Sequence, residues 1–490
     1  MGNIADDTQW LDATDQAALI ADGEVSAVEM VDGAAERIDR IDGDLNAVVM
    51  RWYDRARSQA AAIDEARNDG GTDDDDWGPF AGVPFLLKDL GAHDAGMPMT
   101  SGNRAMRDAQ PISEHDMTIV TRFRDAGLVT LGRTNSPELG SLPVTEPMAY
   151  GPTRNPWDTD RTPGGSSGGA AAAVAAGMVS VAHASDGGGS IRIPAACSGL
   201  VGLKTSQGRI TMGPYANESG MSVSFCVSRS VRDSARLLDA VQGPGVGDTV
   251  VAAAPTQPYA DVVGSDPGRL RIGLLDTHPL GNALHDDCIT AVRSAAKMLE
   301  DLGHDVTLGH PPALEDASFT PRFMAMWSTM MAVSIDAMGA SIGRELTEDD
   351  VEPVNWALAR HADSVTSVEY AEALAAVSEY RRSMHSWWTG GWDLLLTPTL
   401  CEPPVKIGEH DSTPGDPMAG MRRAAEFIAF TPPFNASGQP GINLPLHWND
   451  DGLPIGVQLV SAYGREDQLL AVAAQLEASN PWADRRPVVC

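Results

Sequence analysis

The chain has 490 residues, 43% of them hydrophobic, and a net charge of −32 from 67 acidic and 35 basic residues. That length and apolar content fit one large globular domain or two to three ordinary ones, and exclude a chain disordered throughout. The acidity argues against nucleic acid and anionic membranes as partners, because both need clustered lysine or arginine.

Only four of the basic residues are lysines: Lys88, Lys204, Lys297 and Lys406. An acidic, lysine-poor surface predicts a halophilic protein in a salty cytoplasm, where salt screens self-repulsion. An acidic proteome written by a high-GC genome is the competing source of the same bias. Either way, a lysine kept inside an apolar run stands out. The five cysteines (Cys197, Cys226, Cys288, Cys401 and Cys490) show no CxxC spacing, which predicts reduced thiols and a cytoplasmic setting. The 11 histidines form no HExxH and no paired Cys/His spacing, so no metal site is expected. The start, MGNIADDTQW, lacks the basic-then-apolar order of a signal peptide.

The first 70 residues read as helical: TDQAALIADGEVS and SAVEMVDGAAERIDRI carry apolar positions at three-to-four spacing, with Gly23 and Ser26 marking a stop and a restart. NDGGTDDDDWG reads as a solvated acidic loop. GVPFLLKD is a short buried strand, then DMTIVTRFRDAG a helix and VTLGRTN a strand. The alanine-rich run over 169–182 is too short and too small-sided to span a bilayer. LRIGLLD predicts a strand and HDDCITAVRSAAKMLEDLG an amphipathic helix ended by Gly303. Helices follow over 318–338 and 366–388, and WDLLLTPT is a buried strand. TPPFNASGQPGINLPLHWNDDGLPIGVQLVSAYGRED reads as helical turn, strand, hairpin and strand. No internal repeat and no long linker stands out. The predicted fold is α/β: a single large domain with a mixed β-sheet covered by helices.

Two glycine-rich loops carry the chemistry. In SDGGGSIR, glycines 187, 188 and 189 let several backbone N–H groups meet at one point, with Ser190 directly after them. Such donors stabilise a developing oxyanion, an effect of ~3–4 kcal/mol per donor. A plain glycine turn is the bland alternative, and a phosphate cradle is disfavoured by the absence of a GK[ST] ending. In RTPGGSSGG, Ser166 alone is a turn residue. Beside the second loop and Lys88, it becomes a candidate relay, because a serine nucleophile needs a base and a buried lysine becomes one when desolvation lowers its pKa.

GVPFLLKD, LGRTNSPELG, GPTRNPWD, RTPGGSSGG, SDGGGSIRIPA, CSGLVGLKTSQGR and SGQPGINLP…GLPIGVQLV together resemble the amidase signature family, in its motif order and over essentially the whole chain. The resemblance implies an amide hydrolase without cofactor or metal. It makes Lys88 the base, Ser166 the bridging serine after a cis Gly165–Ser166 peptide, and Ser190 the nucleophile. It assigns the oxyanion hole to the N–H groups of Gly187, Gly188, Gly189 and Ser190, and a supporting charged pair to Asp186 and Arg192. It divides the single domain 1–490 into an N-terminal helical segment (1–75), a catalytic core (80–245), a variable substrate-pocket region (246–430) and a C-terminal return to the core (431–490). Two positions depart from the family pattern: Gly187, where Thr, Ile or Ala is usual, and Thr205, where GLKPT has proline. Thr205 is expected to alter only a loop.

Outside the shared core, WLDATDQAALIADGEVS, IGRELTEDDVE, GWDLLLTPT and VSAYGREDQLL imply a narrower likeness within the family, toward 6-aminohexanoate (nylon) oligomers or similar medium-chain amides as substrate. On the same resemblance Trp327 lies near the acyl pocket, with a core aromatic as the alternative. Two rival functions remain: the glutamine amidase subunit of a tRNA-dependent amidotransferase, and an inactive amidase-like binding protein. A small-molecule amide is the expected partner, and a homodimer is compatible with the sequence.

Overall fold

A computed structural model describes residues 3–68, 77–214 and 221–490. The interior of the acidic stretch NDGGTDDDDWG lies outside the described residues. Two sheets organise the chain. The smaller has the order β1 (Val48–Arg51), β3 (Val129–Thr134), β2 (Pro84–Lys88), with β2 parallel and β1 antiparallel to the central β3. The larger is mixed and eight-stranded. It contains β4 (Val181–Asp186), β5 (Val201–Lys204), β6 (Val223–Ser228), β7 (Arg271–Leu274), β8 (Asp305–Leu308), β9 (Leu394–Pro398), β10 (Gly441–Trp448) and β11 (Pro454–Ser461) in the order β4-β6-β5-β10-β11-β9-β7-β8.

The central strands are buried along their whole length: PFLLK of β2, VSFCVS of β6 and PIGVQLVS of β11. A strand covered on both faces reads as a continuous apolar run rather than an alternation. Each fully buried Phe or Leu in them, such as Phe85, Leu86 and Leu87, stabilises the fold by roughly 1.5–3 kcal/mol. Helices Arg192–Ser198, Asp286–Asp301 and Glu466–Ser479 pack on this sheet. The mixed sheet under helices is the predicted fold class.

Most predicted elements are present. Helices Ala13–Ala21 and Ala27–Leu45 are separated by Gly23 at φ 72° and by Ser26, which forms a capping box with Glu29. Helices Phe319–Ser341 and Ser367–Ser386 occupy the predicted stretches, and β10 and β11 form the predicted hairpin. One correction falls in the first 70 residues. They are not helical throughout: β1 interrupts them, because Val48 and Val49 favour a strand and β3 supplies a partner. Helix Pro353–Ala362 was not anticipated. No helix among the described residues is long and apolar enough to cross a membrane.

Candidate active site

β2 ends at Lys88, in register with Thr134 of β3, and packs against β4 of the large sheet. Lys88 is fully buried, and its Nζ lies 2.7 Å from Ser166 Oγ and 3.0 Å from Ser185 Oγ. Burial pushes its pKa down to about 7, with the Asp186 carboxylate opposing the shift. Its backbone is fixed as well: the N–H donates to His183 Nδ1 at 3.2 Å and the carbonyl accepts from Arg133 Nη1 at 3.0 Å. With Nδ1 accepting, His183 keeps its proton on Nε2, which faces Ser224 Oγ at 2.8 Å. Burial, with Lys88 and Arg133, lowers His183 to about 3, so it stays neutral and adds no charge beside the lysine.

The Gly165–Ser166 peptide is cis, as the resemblance implied. A side chain at Gly165 would sit 2.6 Å from the backbone nitrogen of Val144, so only glycine fits there. Ser166 is 2% exposed, and helix Gly168–Ala175 starts just after it.

Ser190 follows β4 and precedes helix Arg192–Ser198, and is 8% exposed. Its hydroxyl makes no hydrogen bond to another described residue, so the Lys88–Ser166 leg of the expected relay is formed and the Ser166–Ser190 leg is not. Asp186 organises the loop. Its carboxylate accepts from the N–H groups of Gly189 (2.7 Å) and Ile191 (3.2 Å), from Arg192 Nε and Nη2 (2.9 and 3.0 Å) and from Asn435 Nδ2 (2.8 Å). Burial alone would raise its pKa, but Arg192 and the other donors overcome that and hold it at about 2. Arg192 is in turn held by Gln458 (2.7 Å) and Asn435 (2.6 Å). Gly189 adopts φ 133°, and a Cβ there would lie 2.6 Å from Ile193 Cδ1. Thr431 Oγ1 donates to the Gly188 carbonyl at 2.8 Å.

The expected four-donor hole is thereby narrowed. The Gly189 N–H is engaged by Asp186, whereas those of Gly187, Gly188 and Ser190 donate to no other described residue. Gly187 leaves room: a Cβ there would meet Ser222 Oγ at 3.0 Å and nothing else. Thr205 lies in the irregular segment directly after β5, and that segment is interior. Thr205 is fully buried, its carbonyl accepts from Lys204 Nζ at 3.0 Å, and its hydroxyl has no partner among the described residues.

Trp327 stands on helix Phe319–Ser341, half-buried and stacked on Phe323 at 5.5 Å. It packs on the same apolar cluster as Leu139, and Leu139 precedes Gly140, where a Cβ would come within 3.1 Å of Ser166 Oγ.

Sequence reasoning passed over Ser185, His183, Asn435, Gln458 and Lys204. All but His183 lie in motifs already singled out, but their residue types gave no role until the fold brought them to Lys88 and Asp186. Lys204 is the second fully buried lysine, with burial and Arg192 lowering it to about 7.

The family model for amidases matches residues 29–470. The 6-aminohexanoate-cyclic-dimer hydrolase of Paenarthrobacter ureafaciens is 43% identical over 98% of this chain and 96% of its own. A putative amidase, AmiB2, of Mycobacterium tuberculosis is 38% identical over 99% of each chain. The solved structure of 6-aminohexanoate cyclic dimer hydrolase superposes with a TM-score of 0.93 at 42% identity, covering 98% of this chain and 99% of that one.

Proposed function

The chain belongs to the amidase family and is a hydrolase of amide bonds; from that premise we propose that Ser190 is its nucleophile, served by a Ser166/Lys88 relay. Neutral Lys88 gives one N–H to Ser185 and turns its lone pair to Ser166. Ser190 Oγ attacks the amide carbon as its proton passes to Ser166 and that of Ser166 to Lys88. The oxyanion accepts from the free N–H groups of the 187–190 loop. The C–N bond then breaks, and the proton returns through Ser166 to the leaving amine. Water hydrolyses the acyl ester by the same relay. Asp186 and Arg192 hold the loop and take no part in bond making.

The observation that carries this reading is the 2.7 Å contact between Ser166 Oγ and a wholly buried lysine lowered to about 7. A base with a pKa near the working pH is well matched to proton transfer. A serine-reactive fluorophosphonate should label Ser190 in the wild type and leave Ser190→Ala unlabelled. Labelling that persists in that variant removes Ser190 from the role.

For substrate we infer 6-aminohexanoate oligomers or similar medium-chain amides, with residues 246–430 shaping the acyl pocket and Trp327 on its wall. The support is the identity to the cyclic-dimer hydrolase, which extends well beyond the motifs of the serine loops. A panel of cyclic and linear 6-aminohexanoate oligomers, short aliphatic amides, anilides and glutamine tests it. No oligomer turnover would overturn the substrate and leave the amidase intact. Hydrolysis of glutamine alone, and only with a partner subunit, would favour the amidotransferase reading.

A further inference from the structure

A second polar site lies behind the serine loop, in groups the mechanism does not use. The segment 137–148 passes Ser166 at Gly140, packs Val144 against Gly165, and then meets helix Pro353–Ala362 and residues 410–412. A cavity of about 60 Å³ lies between the three, lined by Glu146, Glu352, His410 and Asp411 with apolar walls from Leu142 and Val144. No lysine or arginine lines it. That is space enough for a small polar species.

Its acceptors are under-used. Glu146 Oε2 accepts from the Gly408 N–H at 2.8 Å, but the buried Oε1 has no partner among the described residues. Among the described residues, Glu352 Oε1 accepts only the Met148 N–H, at 2.7 Å. His410 is 2% exposed, and neither ring nitrogen has a partner among the described residues. A buried carboxylate oxygen or imidazole nitrogen without a partner is costly, and a carboxylate without a cation more so.

Among the described residues, no three His, Cys, Asp or Glu side chains converge closely enough to hold a metal ion. An ammonium nitrogen holds its acceptors at about 2.7–3.2 Å, against about 2.0–2.6 Å for a metal ion, so it suits a wider set of acceptors, an imidazole nitrogen included. We propose that this cavity binds an ammonium-type cation, free ammonium or the terminal –NH3+ of a primary amine, through Glu146, Glu352 and His410. This is the chemistry of the leaving group that an amide hydrolase releases. Through Val144 and Gly140, occupancy bears on the segment that walls Ser166.

The surrounding charges set a pH dependence. Burial raises Glu146 to about 7, with Asp411 and Glu409 pushing the same way. Burial raises Glu352 to about 8, with Glu138 and Asp411 adding and Arg104 opposing. Burial and Arg423 lower His410 to about 4 against Glu409, which keeps it a neutral acceptor. Below those values both carboxyls are protonated, so the cation binds better as pH rises through 7 to 8.

Thermal unfolding at a constant ionic strength of about 1 M tests the proposal, with ammonium, methylammonium, potassium or tetramethylammonium as chlorides. Ammonium or methylammonium should raise the midpoint by about 3 °C over tetramethylammonium at roughly a hundredfold excess over the dissociation constant. The gain should be larger near about pH 8.5 than near about pH 6. Glu146→Gln and Glu352→Gln should each lose it while still hydrolysing amides. A gain with ammonium alone identifies the free ion; an equal gain with methylammonium identifies the end of an amine. Equal midpoints in all four salts, potassium matching ammonium, or a wild-type response in the variants would overturn the proposal. If Glu146→Gln does not fold, the half-buried Glu352 carries the test.

Discussion

Around Ser190 the polar side chains are buried and closely paired: Asp186 and Arg192 are fully buried and held by four further groups, and Lys88 by two serines. Along helix Phe319–Ser341 the situation is reversed. Five methionines, Trp327 and two phenylalanines form loose apolar layers, and Met330 and Val333 remain 37% and 63% exposed. The polar floor is fixed by the buried Asp186–Arg192 pair and the hydrogen bonds around it. The helix, which we propose as the wall of the acyl pocket, carries flexible, polarisable side chains of the kind that repack around different shapes. Changes in the floor should therefore move rate, and changes in the wall should move preference.

The largest effects test the floor. Ser190→Ala should lower kcat by roughly 10⁶-fold. Lys88→Met should lower it by about 10³- to 10⁴-fold, and amide hydrolysis across pH is the check. In the wild type, kcat/KM should rise with pH through about 7 and then level off, because the base works only when Lys88 has lost its proton. A rate independent of pH from 5 to 9 would remove Lys88 from the role. Asp186→Asn should come next. It leaves Arg192 buried without its counter-charge, a loss of roughly 3–5 kcal/mol, and takes away one of the two carboxylate oxygens that hold the Gly189 and Ile191 N–H groups. Chemical denaturation and kcat should both fall, with KM changing less.

The two regions were not equally legible in the sequence. GVPFLLKD, GGSSGG and SDGGGS announce themselves, because close backbone approach demands glycine and a buried base demands an isolated lysine. That Gly189 gives its N–H to Asp186 was not legible, since it depends on a φ of 133° and a carboxylate three residues back. Asn435 and Gln458 reach Arg192 from more than 240 residues away, a pairing that only the sheet order creates. In the wall, periodicity located the two long helices. It missed Pro353–Ala362, and β1 was missed for the same reason: short elements decided by their tertiary partners carry little local signal.

Trp327→Ala tests the wall directly. If the ring shapes the acyl pocket, removing it should change the ratio of kcat/KM between long and short amides by about tenfold or more, the scale of one methylene in an apolar pocket. The lost stacking on Phe323 should cost about 0.5–1.5 kcal/mol, a small shift in unfolding midpoint. A stability loss with an unchanged substrate profile would make Trp327 a core aromatic only.

The smallest effect concerns the whole surface rather than either region. If each of the 35 basic residues held one carboxylate, 32 of the 67 acidic residues would still lack a partner. Two of the four lysines are buried and unavailable for surface pairing. Salt has two opposed actions here. It weakens exposed pairs such as Arg40–Asp6 and Arg57–Asp32, which are worth ~0–1 kcal/mol each. It also shortens the range of repulsion among the unpaired carboxylates, from ~30 Å at 0.01 M to ~3 Å at 1 M. With 32 carboxylates left without a partner even at full pairing, repulsion should win, and the unfolding midpoint should rise by a few degrees between about 0.05 and 3 M potassium chloride. Screening does not depend on the cation's shape, so potassium and tetramethylammonium should act alike, unlike a cation seated against Glu146 and Glu352. A flat or falling midpoint would mean that the carboxylates are already far enough apart in water, and the salt-adapted reading of this surface would fail with it.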